Sequence, residues 1–181
     1  MVETGNTSPE INQIIECNEV SEGQVVHGHD MVFQKEVFGE IFSDGGTVQL
    51  ENSLGWGSII NPGGVIQSNQ RAFNATLQAP GGVVEMRSAE NCLIIAREAR
   101  IQTAVKCQIF AHTLRIATAT GCLIAGRNVE IHHAKPYKVE PNIITMVIPD
   151  IPDPQQLLDP LIAEACKLKV LLNSLNTRIN A

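Results

Sequence analysis

Apolar and polar positions alternate along the middle of the chain, and the alternation repeats every fifteen residues. Four copies of one unit are centred on the charged residues Glu85, Arg100, Arg115 and Glu130. An apolar residue stands on each side of that charge, and a second apolar pair completes most units. Alternation with period two is typical of a half-buried strand, and a fixed short period is typical of a solenoid. The predicted inward positions, the core ladder, are Val84, Met86, Ala99, Ile101, Leu114, Ile116, Val129, Ile131, Cys92, Cys107, Cys122, Ile94, Ile109 and Ile124.

The pattern continues upstream at a spacing of eighteen residues, in segments that begin at Gly45, Gly63 and Gly81. The glycine pairs recur with this period, so they are interpreted as corner turns. Parallel strands of successive coils lie ~4.8 Å apart. The sequence therefore predicts an all-β protein, a parallel and right-handed β-helix solenoid with a C-terminal α-helix. Six outward residues are expected to face water: Gln49, Gln67, Glu85, Arg100, Arg115 and Glu130.

The sequence divides residues 1–148 into an N-terminal tail and the solenoid itself. Residues 1–22 are predicted to be a polar tail with a short capping helix, since Ser8 and Pro9 suit an N-cap and a first helical position. Residues 23–148 are predicted to form the β-helix domain. Within that domain the segment from Gly23 to Ser43 fits the later columns poorly, and we interpret it as an irregular first coil or a small hairpin region.

Residues 149–181 are predicted to be a proline-rich linker followed by an amphipathic helix that begins at Asp159 and Pro160. Apolar residues of the helix recur at alternating spacings of four and three, which is typical of a heptad seam. That seam predicts either packing on the chain's own solenoid or helix pairing between subunits. Its members are Leu161, Ala165, Leu168, Leu172, Leu175 and Ile179.

An apolar strip is also predicted on an outer face of the solenoid, where polar residues are usual. Its members are Leu93, Ile95, Phe110 and Leu123, at outward positions of the second strand of each coil. Such strips mark packing surfaces. We therefore expect another part of the chain or a second subunit to cover it, and we predict a homo-oligomer with a further, unidentified protein partner.

Composition and charge limit the classes of function that are compatible with this sequence. A net charge of −6 and a pI near 5.3 argue against nucleic-acid binding. No run of about eighteen apolar residues is available to span a membrane, and no signal-peptide pattern begins the sequence, so a cytoplasmic location is expected. The five cysteines are an odd number, and Cys92, Cys107 and Cys122 occupy one position in successive coils. A stack of small buried hydrophobic groups is favoured there over a metal site or a disulfide.

Candidate chemistry is sparse. The adjacent His132 and His133 point to opposite faces of a strand, and no histidine spacing indicates a metal site. We predict neither a cofactor, a metal nor catalysis. The best enzymatic alternative is a hexapeptide-repeat acyltransferase, which is disfavoured because the clearest coils here are fifteen residues long and not eighteen. Trp56, between two glycines, is expected to pack over the side of the solenoid in preference to binding a ligand.

The run from Ala89 to Ala96, continued from Ala119 to Ile131 and followed by a leucine-rich helix, resembles the C-terminal part of the bacterial flagellar assembly protein A family. The resemblance covers residues 45–181. It implies a β-helix of short coils followed by helical segments, and a role in flagellar assembly or polar localisation through protein contacts. Bactofilins, which are cytoskeletal β-helices that polymerise end to end, are the second resemblance. The predicted function is a non-enzymatic cytoplasmic scaffold that self-associates and docks partner proteins; the alternative is a bactofilin-like polymer.

Overall fold

The computed structural model describes residues 14–17 and 19–147. Within them the chain forms thirteen β-strands and no helix, and every pairing between these strands is parallel. The strands are β1 (Ile15–Cys17), β2 (Val25–Gly28), β3 (Met31–Phe33), β4 (Glu40–Ser43), β5 (Thr47–Leu50), β6 (Leu54–Gly55), β7 (Ser58–Ile60), β8 (Val65–Phe73), β9 (Thr76–Glu90), β10 (Leu93–Val105), β11 (Gln108–Thr120), β12 (Leu123–Lys135) and β13 (Ile143–Met146).

Strands pair with the equivalent strands of the neighbouring coils, so the chain winds as a solenoid of about eight turns. One side of the winding stacks β2, β4, β7, β9, β10, β11, β12 and β13 in that order. The predicted parallel β-solenoid is confirmed. The C-terminal α-helix and its heptad seam, together with most of residues 1–22, lie outside the described residues.

The core is a set of columns that run along the solenoid axis. Ile101 pairs with Met86 on one side and Ile116 on the other, and Leu114 pairs with Val129. The inward side chains are almost completely buried up to Ile124, whereas Val129 and Ile131 in the last full coil are only half-buried. Burying an aliphatic side chain stabilises the fold by roughly 1.5–3 kcal/mol, so the shared core is the main source of stability.

The structure corrects two expectations about the N-terminal part. Of the two interpretations of the segment from Gly23 to Ser43, the small hairpin region is wrong, because β2 and β4 pair in parallel and β3 pairs in parallel with β5. The same pairing supports the other interpretation, an irregular coil. The ladder also starts before residue 23, since β1 pairs with β3. Early strands are only three or four residues long and are spaced unevenly, at fifteen to seventeen residues. The eighteen-residue period of the next coils therefore does not predict the positions of these early strands.

Corners connect the long strands of the later coils. Asn91, Lys106 and Gly121 occupy equivalent corner positions, and each has a positive φ between 51° and 59°. The next residue in each case is a cysteine of the core ladder, which turns inward at the corner. A left-handed backbone at this point bends the chain sharply at the corner.

Trp56 and Asn74 form the same corner in the longer coils, so the fifteen-residue period has another origin. Two residues are lost where Ala96 and Glu98 pair with Ala79 and Val83, and one where Met86 and Ser88 pair with Ser68 and Arg71.

Candidate functional site

An uncharged face on the outside of the eight-strand stack is the main candidate site. Registers between the strands align two outward columns from β7 to β13, and none of their twelve members carries a charge. We call this surface the outer apolar face. Its members are Ser58, Thr76, Leu93, Gln108, Leu123 and Ile143 in one column, and Ile60, Gln78, Ile95, Phe110, Ala125 and Thr145 in the other.

The four interaction residues predicted on the solenoid all lie in this face. Leu93 and Ile95 are half-buried, and Phe110 and Leu123 are 38% and 37% exposed. Strands of a sheet hold neighbouring rows ~4.8 Å apart, so the apolar side chains form a continuous patch and not isolated contacts. The other predicted interaction residues, Leu161, Ala165, Leu168, Leu172, Leu175 and Ile179, lie outside the described residues.

Sequence reasoning missed the extension of this face at both ends. Ile60 precedes the predicted strip, Ile143 follows it, and Phe42 continues its second column into β4. His27 extends the column further and stacks on Phe42, with ring centroids 5.1 Å apart. The eighteen-residue spacing from Phe42 to Ile60 was a usable signal. It was missed because the second strands of the early coils were not aligned with those of the later ones.

The next side of the solenoid is charged, in contrast to the outer apolar face. Gln49, Gln67, Glu85, Arg100, Arg115 and Glu130 form a single outward column in consecutive register. Arg100 Nη1 lies 2.5 Å from Glu85 Oε1, and Arg115 Nε lies 3.4 Å from Glu130 Oε2. Each glutamate offsets the charge of its arginine, which reduces the repulsion between the adjacent Arg100 and Arg115 side chains. Exposed ion pairs contribute about 0–1 kcal/mol each, so this column mainly keeps that side solvated.

The cysteine column is buried behind these surfaces. The thiols of Cys92, Cys107 and Cys122 donate to the carbonyl oxygens of Glu90, Val105 and Thr120, at Sγ to O distances of 3.2, 3.3 and 3.5 Å. All three cysteines are free and at most 2% exposed. Hydrogen bonds to the neighbouring thiols, together with burial, raise the pKa of Cys107. The Cys107 thiol is therefore protonated at neutral pH and packs as a small hydrophobic group between its two neighbours.

Asn142 occupies the next position of the cysteine column, in the last coil. Its Oδ1 accepts a hydrogen bond from the Cys122 amide at 2.8 Å, and its Nδ2 donates to the carbonyls of Ala119 and Lys135. These three bonds connect the Asn142 side chain to the ends of β11 and β12 and to the corner between them. Asn142 thereby fixes the final strand, β13, to the solenoid.

Trp56 does not pack against the solenoid as expected: it is 70% exposed and has a φ of 53°. With Phe38, Ser21 and Glu22 it lines an open groove of about 600 Å³. The backbone conformation follows from the corner column, because Asn74, one coil later, has the same left-handed φ. The groove has two aromatic rings and one carboxylate but no converging set of reactive groups.

The histidines are distributed over separate local contacts. His29 Nδ1 lies 2.5 Å from Asp44 Oδ1, and this hydrogen bond raises the pKa of His29. His132 Nε2 lies 3.2 Å from Glu130 Oε1. Within residues 14–147 as described, no group of three or more histidine, cysteine or acidic side chains is placed to hold a metal ion. No helix in that part of the chain is long and apolar enough to cross a membrane.

Comparison with known proteins finds no matching family model, curated protein or solved structure. The resemblances to flagellar assembly protein A and to bactofilins therefore stay predictions. The geometry of the chain's own surfaces carries the functional inference.

Proposed function

We propose that this chain is a non-enzymatic scaffold that associates with further copies of itself and binds partner proteins through the outer apolar face. The observation that carries the proposal is the absence of charge at all twelve positions of that face, beside a column that carries four charges. A flat apolar face on a parallel sheet is usually covered, because sheets that carry apolar side chains pack face to face at ≈ 10 Å. The cytoplasmic location belongs to the same proposal, and so does the role in flagellar assembly or polar localisation, which rests on the sequence resemblance.

The shape of the face suits protein contact better than small-molecule binding. It extends over six stacked strands, which corresponds to a length of roughly 24 Å. Apolar side chains there alternate with uncharged hydrogen-bonding ones, such as Gln78 and Gln108. Protein interfaces show this mixture, with charged residues depleted at the centre.

Substitutions at the centre of the face test the proposal. Phe110→Asp and Leu123→Asp place carboxylates where a partner would remove water, and burial of each original side chain is worth roughly 1.5–3 kcal/mol. We expect the double variant to raise the dissociation constant of the assembly at least about tenfold, measured by sedimentation velocity. Gln102→Asp with Ala117→Asp is the matched control, because these two residues lie in β10 and β11 but belong to neither column of the outer apolar face. An equal effect of both double variants would refute the proposal.

A further inference from the structure

The groove beside Trp56 is a surface that the proposed function does not use. Trp56 is 70% exposed and is the only tryptophan of the chain. With Phe38 and Glu22 it lines the cavity of about 600 Å³ described above, and a second cavity of about 360 Å³ shares these three residues. We call the two cavities together the Trp56 groove. Tryptophan is enriched where proteins contact partners, so an exposed indole ring in a groove indicates a binding site.

The aromatic wall of the Trp56 groove is fixed by the neighbouring coils. Gly55 and Phe73 follow Phe38 in one outward column, one coil apart. A Cβ atom on Gly55 would lie 2.9 Å from Phe38 Cε1 and 2.5 Å from Phe73 Cζ, so the two phenyl rings converge over this glycine. Packing against Phe73 limits the movement of the Phe38 ring. The groove therefore has its aromatic wall in place before a ligand binds, which reduces the entropy cost of binding.

The charged groups of the groove are all acidic. Glu22 lines both cavities and Glu40 lines the second, and both side chains are exposed. Among the described residues, no basic side chain lines the groove, and the ion pairs involve other acidic side chains. Residues 14–51, which supply Glu22, Phe38 and Glu40, contain eight acidic and one basic side chain, a net charge of −7. The electrostatic potential in the groove therefore attracts a cation.

An indole ring beside carboxylates is suited to a guanidinium group in particular. The planar guanidinium stacks on aromatic faces and donates parallel hydrogen bonds to a carboxylate, whereas an ammonium group is a compact, strongly hydrated charge. Of the aromatic side chains, tryptophan attracts cations most strongly. The same aromatic column already contains such a contact. The guanidinium carbon of Arg71 lies 5.6 Å from the centroid of the Phe73 ring, while Arg71 pairs with Glu90.

The Trp56 groove is continuous with the outer apolar face. Ser58 and Thr76 line the second cavity and are also the first two members of one column of that face. Glu40 precedes Ser58 in the same column, one coil earlier. A protein that covers the outer apolar face can therefore reach the groove on the same side of the solenoid. Arginine is enriched in protein interfaces and often contributes a large share of the binding energy.

We propose that the Trp56 groove binds the guanidinium group of an arginine on the protein that covers the outer apolar face. This inference rests on the proposed function and names the chemistry of its partner. The guanidinium stacks on the indole ring of Trp56, and the carboxylates of Glu22 and Glu40 accept hydrogen bonds from its N–H groups. Apolar contacts then hold the partner along the later strands, and the arginine fixes its position at the N-terminal coils.

Fluorescence of the full-length chain reports on this groove directly, because Trp56 is the only tryptophan. The probe is N-acetyl-arginine amide, titrated at constant ionic strength. We expect a saturable change in emission with a dissociation constant on the order of 1 mM. N-acetyl-citrulline amide has the same shape without the charge and should bind at least about tenfold more weakly. N-acetyl-lysine amide should also bind more weakly, because its ammonium group does not stack as a guanidinium does.

Neutralising the two carboxylates tests which residues form the site. Glu22→Gln with Glu40→Gln keeps the shapes of the side chains and removes both charges, so the dissociation constant of the arginine probe should rise at least about tenfold. Glu36→Gln with Glu51→Gln is the matched control. It changes the net charge equally and lies in the same coils, but neither residue lines the groove. An equal effect of both double variants would overturn the proposal, since the overall charge and not the groove would then attract the probe.

The other outcomes separate this proposal from the proposed function. Failure of the arginine probe to bind saturably, or equally tight binding of the citrulline or lysine probe, would overturn the guanidinium site. If the arginine probe fails to bind while Phe110→Asp with Leu123→Asp disrupts assembly, only the guanidinium site fails. If the arginine probe binds with the expected selectivity while that variant assembles as the wild type does, the guanidinium site is supported and the proposed function fails.

Discussion

Ile116 and Arg115 are neighbours in one strand, yet their side chains meet opposite environments. Ile116 is 2% exposed inside the core, whereas most of the Arg115 side chain is in water beside Glu130. The same contrast recurs at each rung, because strand residues alternate between two faces. The inward or outward position of a residue therefore decides the effect of a substitution more than its chemical type does.

Ile116→Asp should unfold the protein or lower its melting temperature severely. A carboxylate in this narrow core has no partner, and domains are stable by only about 5–15 kcal/mol in total. Arg115→Gln removes one exposed ion pair and should change the free energy of unfolding by less than about 1 kcal/mol. Thermal melts followed by circular dichroism compare the two variants. A similar loss of melting temperature in both would contradict the inward and outward assignment.

At the scale of the elements, one column of glycines is required because successive coils approach each other closely there. Gly46, Gly64 and Gly82 stack over one another at successive corners. A Cβ atom on Gly82 would lie 1.9 Å from the carbonyl oxygen of Gly64, and a Cβ on Gly64 would lie as close to that of Gly46. Close approach of one coil to the next, and not a left-handed φ, excludes a side chain here.

Gly82→Ala should therefore destabilise the solenoid by about 3 kcal/mol, since backbone of an adjacent coil has to move. Gly63→Ala is the matched control. Nothing lies within 4 Å of a Cβ at that position, so its effect should stay within about 1 kcal/mol and can be stabilising through the unfolded state. Urea denaturation measures the free energy of unfolding of both variants. Equal effects would show that coil spacing at this corner is more adaptable than the structure indicates.

Sequence periodicity was sufficient to predict the later elements. From β9 to β12 the coil length is nearly constant, so the same inward columns could be aligned by counting, and the structure pairs those residues in register. The early elements could not be predicted in this way. Their coils vary in length, and strands of three or four residues carry too little alternation to reveal their phase.

At the scale of the whole molecule, part of the outer apolar face could be predicted by counting the same period. The charge gradient along the axis could not: residues 14–51 carry a net charge of −7 and residues 91–147 a net charge of +4. Lysine and arginine are scattered along the sequence, and only the parallel stacking of coils places their excess after residue 91 in one part of the solenoid. A solenoid maps sequence position onto distance along its axis, so it preserves gradients that a globular fold would average out.

The same mapping predicts how the molecule unfolds. Each coil contacts only its neighbours, so destabilising one end should leave the other end intact. Ile124→Ala, at the last fully buried position of its column, should cost about 2–4 kcal/mol and lower amide hydrogen-exchange protection in β11, β12 and β13. Protection of β3, β5 and β8 should be unchanged. Val48→Ala, in the N-terminal coils, is the counterpart and should produce the reverse pattern. A uniform fall in protection throughout the strands in either variant would mean that the solenoid unfolds as a single cooperative unit, and that its coils are coupled well beyond their nearest neighbours.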